Sequence, residues 1–183
     1  MASNKASKTL NNSYTLSVEF AENTVTETHK KNNVTSITAS GTLKANGVYW
    51  TTSHNSRLVL YWHDNKTNKD VQVKELSFAG LSGYTDSKTV SATFNVEHKE
   101  DGTLSGYAKL VFEKGNTTSS YAPNSGDVQT SLTALTVLPT NKRLKVKVNG
   151  VWKEAIPFIK VNGVWKEATP YMKVNGIWKE GTR

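Results

Sequence analysis

Apolar and polar residues alternate along most of the chain before residue 139. In the segment YTLSVEF, which begins at Tyr14, every second residue is apolar. The clearest run extends from residue 90 to residue 98, and a second run from residue 106 to residue 112 repeats the pattern after a short polar stretch. A period of two is typical of β-strands that bury one face and expose the other.

Short polar stretches rich in glycine, asparagine and aspartate separate these runs. Asp101-Gly102 is a strong hairpin signal, because this pair readily supplies the positive φ that a tight turn requires. No stretch of ten or more residues has a helical period. Further strands are predicted at 24–29 (a polar edge strand), 34–43, 57–63 (a central strand, from its nearly continuous apolar run), 71–78 and 128–138. Eight or nine short strands separated by turns predict an all-β fold, with an antiparallel β-sandwich favoured over a closed barrel, which periodicity alone does not distinguish.

The last part of the chain is a threefold repeat with a spacing of thirteen residues. Its copies are VKVNGVWKEAIPF at 146–158, IKVNGVWKEATPY at 159–171 and MKVNGIWKEGTR at 172–183. A short fixed period is typical of units that stack on one another, and not of a fold built around one pocket. We therefore divide the chain into a flexible N-terminal arm (1–13), a β-sandwich domain (14–140) and a repeat region (141–183).

Each copy predicts a short β-hairpin, because Asn-Gly between β-branched residues favours a type I′ turn. In the first copy Val148 would lie opposite Val151 and Lys147 opposite Trp152, so that valines share one face and lysine and tryptophan the other. Since so small a hairpin is marginal in water, we expect the repeat region to be ordered chiefly in a homo-oligomer, with a trimer favoured. The candidate assembly residues are Trp152, Trp165, Trp178, Val148, Val161, Val174, Asn149, Gly150, Asn162, Gly163, Asn175 and Gly176.

The net charge of +8 is concentrated in the repeat region, where ten Lys and Arg residues against three Glu residues give +7. A basic segment attracts nucleic acid, anionic cell-wall polymers or acidic protein surfaces. Lysines also keep exposed strand edges from pairing indiscriminately, and the sequence leaves both interpretations open. Because Lys and Glu are interleaved, we do not expect nucleic acid as a partner.

The residue types on which catalysis and metal binding depend are absent or scattered. The chain has no cysteine. Of the acidic residues, Glu75, Glu97 and Asp101 are available, but no spacing selects the pair that a glycosidase needs. We therefore expect no enzymatic activity, no cofactor and no metal. None of the four histidines has a metal-ligand spacing, and we expect each of them on the surface or in a turn: His29, His54, His63 and His98.

Three aromatic residues, Trp50, Tyr61 and Trp62, have two interpretations. Carbohydrate-binding modules use exposed aromatic faces, which makes these residues candidate sugar contacts. Aromatic residues on the strands of a sandwich more often belong to the core, and we favour that interpretation.

Two parts of the chain resemble known families. Residues 14–140 are similar to a family of siphophage tail and host-adsorption proteins from phages of Gram-positive bacteria, known only as a domain of unknown function. The similarity is carried by YTLSVEF, by VEHKEDGTLSG in the position of a THNADGT hairpin, and by SLTALTVLPT, which parallels a strand ending in LTTIPR but has no arginine after Pro139. The KVNGVWKEA repeat resembles C-terminal repeats of tail and minor structural proteins of streptococcal phages and prophages.

The resemblance implies a virion structural protein of the tail tip, baseplate or fibre that contributes to attachment to a Gram-positive host surface. Its expected partners are copies of itself, other virion tail proteins, and host cell-wall polysaccharide or teichoic acid. A purely structural or decorating virion protein without a receptor is an alternative, and a carbohydrate-binding module is another. No apolar run approaches the roughly 20 residues of a membrane helix, and no signal peptide is evident. We expect synthesis in the host cytoplasm and a final location in the virion.

Overall fold

The structure of the chain is a computed structural model that describes residues 1–11, 13–51, 53–139, 145–174 and 176–180. Strands dominate these residues, and one short helix interrupts them. The elements are β1 (Ser3–Leu10), β2 (Tyr14–Glu22), α1 (Glu27–Asn32), β3 (Val34–Ala45), β4 (Ser53–His54), β5 (Ser56–Asp64), β6 (Lys69–Phe78), β7 (Ser87–Glu97), β8 (Ser105–Glu113), β9 (Asn116–Thr117), β10 (Gly126–Gln129), β11 (Thr133–Ala134), β12 (Lys145–Val148), β13 (Val151–Glu154), β14 (Phe158–Val161), β15 (Val164–Glu167), β16 (Tyr171–Val174) and β17 (Ile177–Glu180).

Two large antiparallel sheets form most of the chain before residue 139, and β4 pairs with β9 in a small third sheet. The first has the strand order β1-β2-β3-β7, and the second has the order β10-β8-β5-β6 with β11 also paired to β8. The sheets face each other, with β2 packed across β8 and β6 across β7. The predicted all-β fold with an antiparallel sandwich is confirmed, and β5 is a central strand as its apolar run predicts.

The core between the sheets is built from the alternate, buried positions of both. Leu16 in β2 and Leu110 in β8 are fully buried. The rings of Phe20 and Trp62 meet edge to face across the interface, with centroids 5.2 Å apart. Gly41 in β3 lies so close to Leu110 that a Cβ at this glycine would come within 2.4 Å of a Leu110 methyl carbon. The glycine therefore lets the two sheets approach at this point.

The expectation of a flexible arm over residues 1–13 is wrong for strand β1. This strand pairs with β2 over all eight of its residues and forms the edge of the first sheet. The backbone N–H of Ala2 also donates a 2.9 Å hydrogen bond to the buried carboxylate of Glu22. An edge strand needs few buried side chains, and here Leu10 is buried while Ala6 is only partly covered. This small apolar contribution is why the segment looks like a polar arm.

The predicted strand at 24–29 is also wrong, because its second half belongs to helix α1. Thr26 is the N-cap: its hydroxyl accepts a hydrogen bond from the backbone N–H of His29, and the His29 ring accepts one from the Thr26 N–H. Asn33 ends the helix in the left-handed conformation with φ of 54°. Reciprocal capping stabilises a helix of six residues that is too short to show an amphipathic stripe.

The predicted last strand at 128–138 is divided into β10 and β11. Gln129 is paired with Lys109 and Thr133 with Gly106, so the outer chain advances four residues while β8 advances three. The extra residue interrupts the ladder as a β-bulge does. The hydroxyl of buried Thr130 accepts a hydrogen bond from the Ala108 N–H (3.2 Å) at the interruption.

The prediction that His98 lies on the surface is wrong, because its side chain is fully buried. Its Nδ1 is 2.8 Å from the carbonyl oxygen of Gly102, and its Nε2 is 2.7 Å from the hydroxyl of Thr35. The ring therefore donates from Nδ1 and accepts at Nε2, as a neutral imidazole does. Gly102 also accepts a 3.0 Å hydrogen bond from the Leu138 N–H, so one carbonyl joins a hairpin turn to the end of the sandwich.

We predict that Gly102→Ala destabilises the sandwich far more than Gly47→Ala. Both glycines have positive φ (77° and 84°), but a Cβ at Gly102 would lie 2.0 Å from the Leu138 carbonyl oxygen, whereas nothing lies within 4 Å of a Cβ at Gly47. Strain alone costs about 1–2 kcal/mol at either position. The clash at Gly102 raises the loss in the free energy of unfolding to about 3 kcal/mol or more. Urea unfolding of both variants measures this difference, and equal losses would contradict it.

We predict that the buried His98 makes the sandwich less stable as the pH falls below about 6.5. Burial lowers the pKa of His98 below its usual value of 6.5. The hydrogen bond to Gly102 and the charge of Glu22 oppose this effect, and the charge of Lys66 adds to it. Between the pKa of His98 in the folded chain and its higher pKa in the unfolded chain, the unfolded chain binds more protons than the folded one. The free energy of unfolding is therefore highest above the unfolded-state pKa and decreases as the pH falls below it. The urea midpoint between about pH 7.5 and pH 5 should vary less in His98→Asn than in the parent chain. His29→Gln, which changes a half-buried histidine outside the core, should keep the parent's dependence. If it does not, or if His98→Asn also keeps the dependence, another group is responsible.

Candidate functional site

Each copy of the repeat forms a separate two-stranded antiparallel sheet, namely β12-β13, β14-β15 and β16-β17. The turns have positive φ at Asn149 (50°) and Gly150 (82°), and at Asn162 (49°) and Gly163 (82°). Both central residues of a type I′ turn require positive φ. Gly176 has a φ of 81° in the third copy, and its neighbour Asn175 lies outside the described residues.

The strand register gives each pair two chemically distinct faces. Val148 lies opposite Val151 and Lys147 opposite Trp152, and the other copies repeat this pairing thirteen and twenty-six residues later. Because successive residues of a strand point to opposite faces, the valines fall on one face and the tryptophan on the other. We call the first face the aliphatic face; in the first two copies it carries Val146, Val148 and Val151, then Ile159, Val161 and Val164. The equivalent register positions of the third copy are occupied by Met172, Val174 and Ile177, whose side chains lie outside the described part of the chain.

The aliphatic face is open to solvent in the two copies whose side chains are described. Its six aliphatic residues in these copies are between 39% and 60% exposed. On the opposite face Trp165 is 64% exposed, and the Lys160 ammonium lies 5.9 Å from the centre of its ring. That spacing permits a cation–π contact of about 0.5–1 kcal/mol. The side chains of Trp152, Trp178 and Val174 lie outside what the structure describes.

A sugar-binding platform made of Trp50, Tyr61 and Trp62 is ruled out, and for both tryptophans the core interpretation is confirmed. Trp50 and Trp62 are each only 2% exposed. Tyr61 precedes Trp62 on β5 and therefore lies on the outer face of the second sheet, where it is half-buried.

The acidic residues considered for catalysis have structural partners. Glu75 lies 3.5 Å from Arg57, which also donates to Glu113 across β5 and β8. Glu97 pairs with Lys66 at 3.1 Å. Asp101 accepts hydrogen bonds from the backbone and hydroxyl of Thr103, which lower its pKa.

His63 is held on the outer face of the second sheet by its neighbours on two strands. Its Nδ1 lies 2.7 Å from Asp70 of β6, and its ring stacks on Tyr107 of β8 with centroids 4.3 Å apart. His29 takes part in the capping of α1, and the side chain of His54 lies outside the described residues. Within the described ranges, no cluster of three or more His, Cys, Asp or Glu side chains could hold a metal ion.

A cleft of about 450 Å³ at one end of the sandwich is a candidate site that the sequence did not predict. Three tyrosines from three connecting segments meet there, and we call it the tyrosine cleft: Tyr49 follows β3, Tyr84 lies between β6 and β7, and Tyr121 lies between β9 and β10. Buried Trp50 contributes to its lining. Since the tyrosines are separated by 35 and 37 residues in the sequence, no local pattern could bring them together before the sheets were paired.

In the described part of the chain, no helix is long and apolar enough to cross a membrane.

Comparison with known proteins gives little additional information. No protein-family model matches the chain, and no curated protein matches it either. Among solved structures, the chain is similar to a putative ApaA protein from Bordetella pertussis, with 10% sequence identity over 67% of this chain and 94% of that chain and a TM-score of 0.36. It is also similar to the structural genomics target SoR45, with 10% identity over 77% of this chain and 97% of that chain and a TM-score of 0.36. Likenesses this weak carry no argument about fold or function.

Proposed function

We propose that the chain is a non-enzymatic structural protein of a phage tail tip, baseplate or fibre, which assembles through its repeat region and contributes to attachment to a Gram-positive host surface. The observation that carries this proposal is the threefold aliphatic face, which is exposed where its side chains are described. The tail context comes from the resemblance of the repeat and of YTLSVEF to phage tail proteins.

An exposed aliphatic face on an isolated hairpin calls for a partner surface. Each copy of the repeat is a two-stranded sheet with strands of four residues, and such hairpins are marginally stable alone in water. Burial of one valine or isoleucine side chain contributes about 1.5–3 kcal/mol. Covering a face that carries three such side chains therefore adds more stability than the hairpin has by itself.

A second copy of the same chain is the partner that fits best. The three hairpins present the same face at equal spacing, so a copy related by a rotation axis can match all three at once. A trimer places the three equivalent faces around a common axis. Other tail proteins would then contact the outer, lysine-bearing faces.

A non-enzymatic role is supported by the use of the acidic side chains within the sandwich. Glu75 is paired with Arg57, and Glu97 with Lys66. These ion pairs give both carboxylates partners within the sandwich.

We predict that threonine substitution on the aliphatic face dissociates the oligomer. In Val151→Thr/Val164→Thr/Ile177→Thr each residue keeps a β-branched shape and strand propensity but presents a hydroxyl to the interface. Sedimentation velocity over a wide concentration range should show an oligomer for the parent and a monomer for this variant. The matched control, Lys147→Gln/Lys160→Gln/Lys173→Gln, changes the opposite face and should stay oligomeric. A parent that is monomeric at every concentration, or an oligomer that survives loss of residues 141–183, would overturn the assembly role.

We predict that the purified oligomer binds Gram-positive cell walls more strongly than the threonine variant does. Several weak contacts on one particle give an apparent affinity that exceeds the single-site affinity by about a hundredfold or more. Co-sedimentation with purified walls from a panel of Gram-positive species measures the bound fraction. If an oligomer forms but binds no wall at high protein concentration, the protein is a decorating component without a receptor.

A further inference from the structure

We infer that the tyrosine cleft is a binding site for an uncharged saccharide segment of a polysaccharide. This deepens the attachment part of the proposed function, and it rests on that function only for the expectation that a cell-wall glycan is the source of the saccharide. The site itself follows from the positions, exposure and chemistry of three tyrosines.

All three rings are exposed to solvent. Tyr49 is 39% exposed, Tyr84 is 62% exposed and Tyr121 is 65% exposed. Together they give the cleft an aromatic wall that has a hydroxyl on each ring. A volume of about 450 Å³ lies within the range of small-ligand sites, about 300–1,000 Å³.

The backbone around the rings is fixed by hydrogen bonds to the sandwich. The carbonyl of Tyr84 accepts a 2.9 Å hydrogen bond from the Gly47 N–H, which joins two of the three segments. The carbonyl of Tyr121 accepts a 2.8 Å hydrogen bond from the hydroxyl of Tyr14, a fully buried core residue. A site whose segments are held before the ligand arrives loses less conformational entropy on binding.

The mixture of ring faces and hydroxyls matches the chemistry of a sugar. A pyranose presents patches of C–H groups between its hydroxyls, and aromatic rings with polar tips complement both parts. Thr51 and Ser119 add hydroxyls to the cleft, and Val48 adds an aliphatic contact. A small number of polar groups among apolar ones is the usual way in which a pocket fixes the orientation of its ligand.

The lining favours an uncharged ligand over a phosphate-containing polymer. Among the described residues that line the cleft, none has a formal charge at neutral pH. An anionic polymer such as teichoic acid would lose hydration there without gaining a cation. The repeat region, with its +7, is the part of the chain that attracts such a polymer. The two surfaces therefore differ in salt dependence, because screening weakens binding to lysines and leaves neutral contacts almost unchanged.

The geometry of the rings favours a sugar over a proline-rich peptide. Peptides in a polyproline helix dock in aromatic-lined grooves. The rings of Tyr49 and Tyr84 are perpendicular, with an interplanar angle of 90° and centroids 4.9 Å apart. One ring thus presents its edge beside the flat face of the other, which forms a corner and not a groove between parallel walls.

The test uses the full chain and titrates it with neutral hexasaccharides (chitohexaose, cellohexaose and mannohexaose), neutral wall polysaccharide freed of phosphate polymers, poly(glycerol phosphate), and a proline-rich decapeptide. Isothermal calorimetry should detect binding of at least one neutral glycan, with an affinity that changes little between low and high salt. Tyr84→Ala and Tyr121→Ala should each weaken that binding about tenfold or more, as truncation of a central interface aromatic does. The matched control, Tyr61→Ala, removes a tyrosine from the outer face of β5 and should leave the affinity unchanged.

Folding is checked on the same samples by thermal unfolding, and because the cleft tyrosines are exposed, their variants should melt close to the parent. The inference is overturned if no neutral glycan binds, if Tyr61→Ala weakens binding as much as Tyr84→Ala, or if only the decapeptide or poly(glycerol phosphate) binds. The saccharide site can be tested independently of assembly. The threonine variant of the aliphatic face keeps the cleft intact, so it should bind a hexasaccharide with the parent's affinity per chain. If Tyr84→Ala/Tyr121→Ala still binds cell walls as the parent does, attachment uses another surface and the cleft is not the wall-binding site.

Discussion

The burial of Trp50 between the two sheets determines the end of the sandwich where the candidate site lies. Its ring meets Tyr14 of the first sheet edge to face at 5.3 Å and Phe112 of the second sheet at 6.1 Å. Trp50 belongs to neither main sheet and is tied to Leu81 by an isolated bridge, so a loop residue closes the core. In an extended chain the preceding residue then faces outward, which is where Tyr49 lies. The exposure of the cleft's first ring is thus a consequence of core packing.

Two buried polar groups complete the sandwich by joining the ends of its chain. Glu22, which is 3% exposed, accepts hydrogen bonds from Ala2 near the start of the chain and from the backbone and hydroxyl of Thr136 near the end of the domain. His98 and Leu138 both donate to the carbonyl of Gly102. A buried polar atom left without these partners costs about 1–3 kcal/mol. The domain therefore extends from β1 to Leu138, and strand β1 is part of it.

The pattern of apolar and polar residues predicted those parts of the fold where burial follows directly from the local sequence. It identified β2 and β7 from local alternation, β5 from a nearly continuous apolar run, and the hairpin turn at Gly102 from one special φ value. It failed where an element is held by contacts that leave no alternation of apolar and polar residues. Strand β1 is held by backbone pairing, α1 by its cap, and His98 by two partners at Thr35 and Gly102, none of which leaves an apolar pattern. Trp50 and Trp62, the aromatic cluster visible in the sequence, lie in the core. The three exposed tyrosines of the cleft come from separate segments and were recognisable as a group only from the folded chain.

The roles proposed for the repeat region and for the tyrosine cleft address two parts of attachment, namely assembly and recognition. An open cleft with three exposed rings and no charged group in its described lining offers limited contact area, so its affinity for one saccharide unit is expected to be low. A polysaccharide, however, repeats that unit along its length, and copies of the cleft held together can engage several units at once. In the proposed assembly, the threefold aliphatic face would hold copies together without using any cleft residue. Assembly and recognition can therefore change independently, since substitutions in one surface leave the contacts of the other intact.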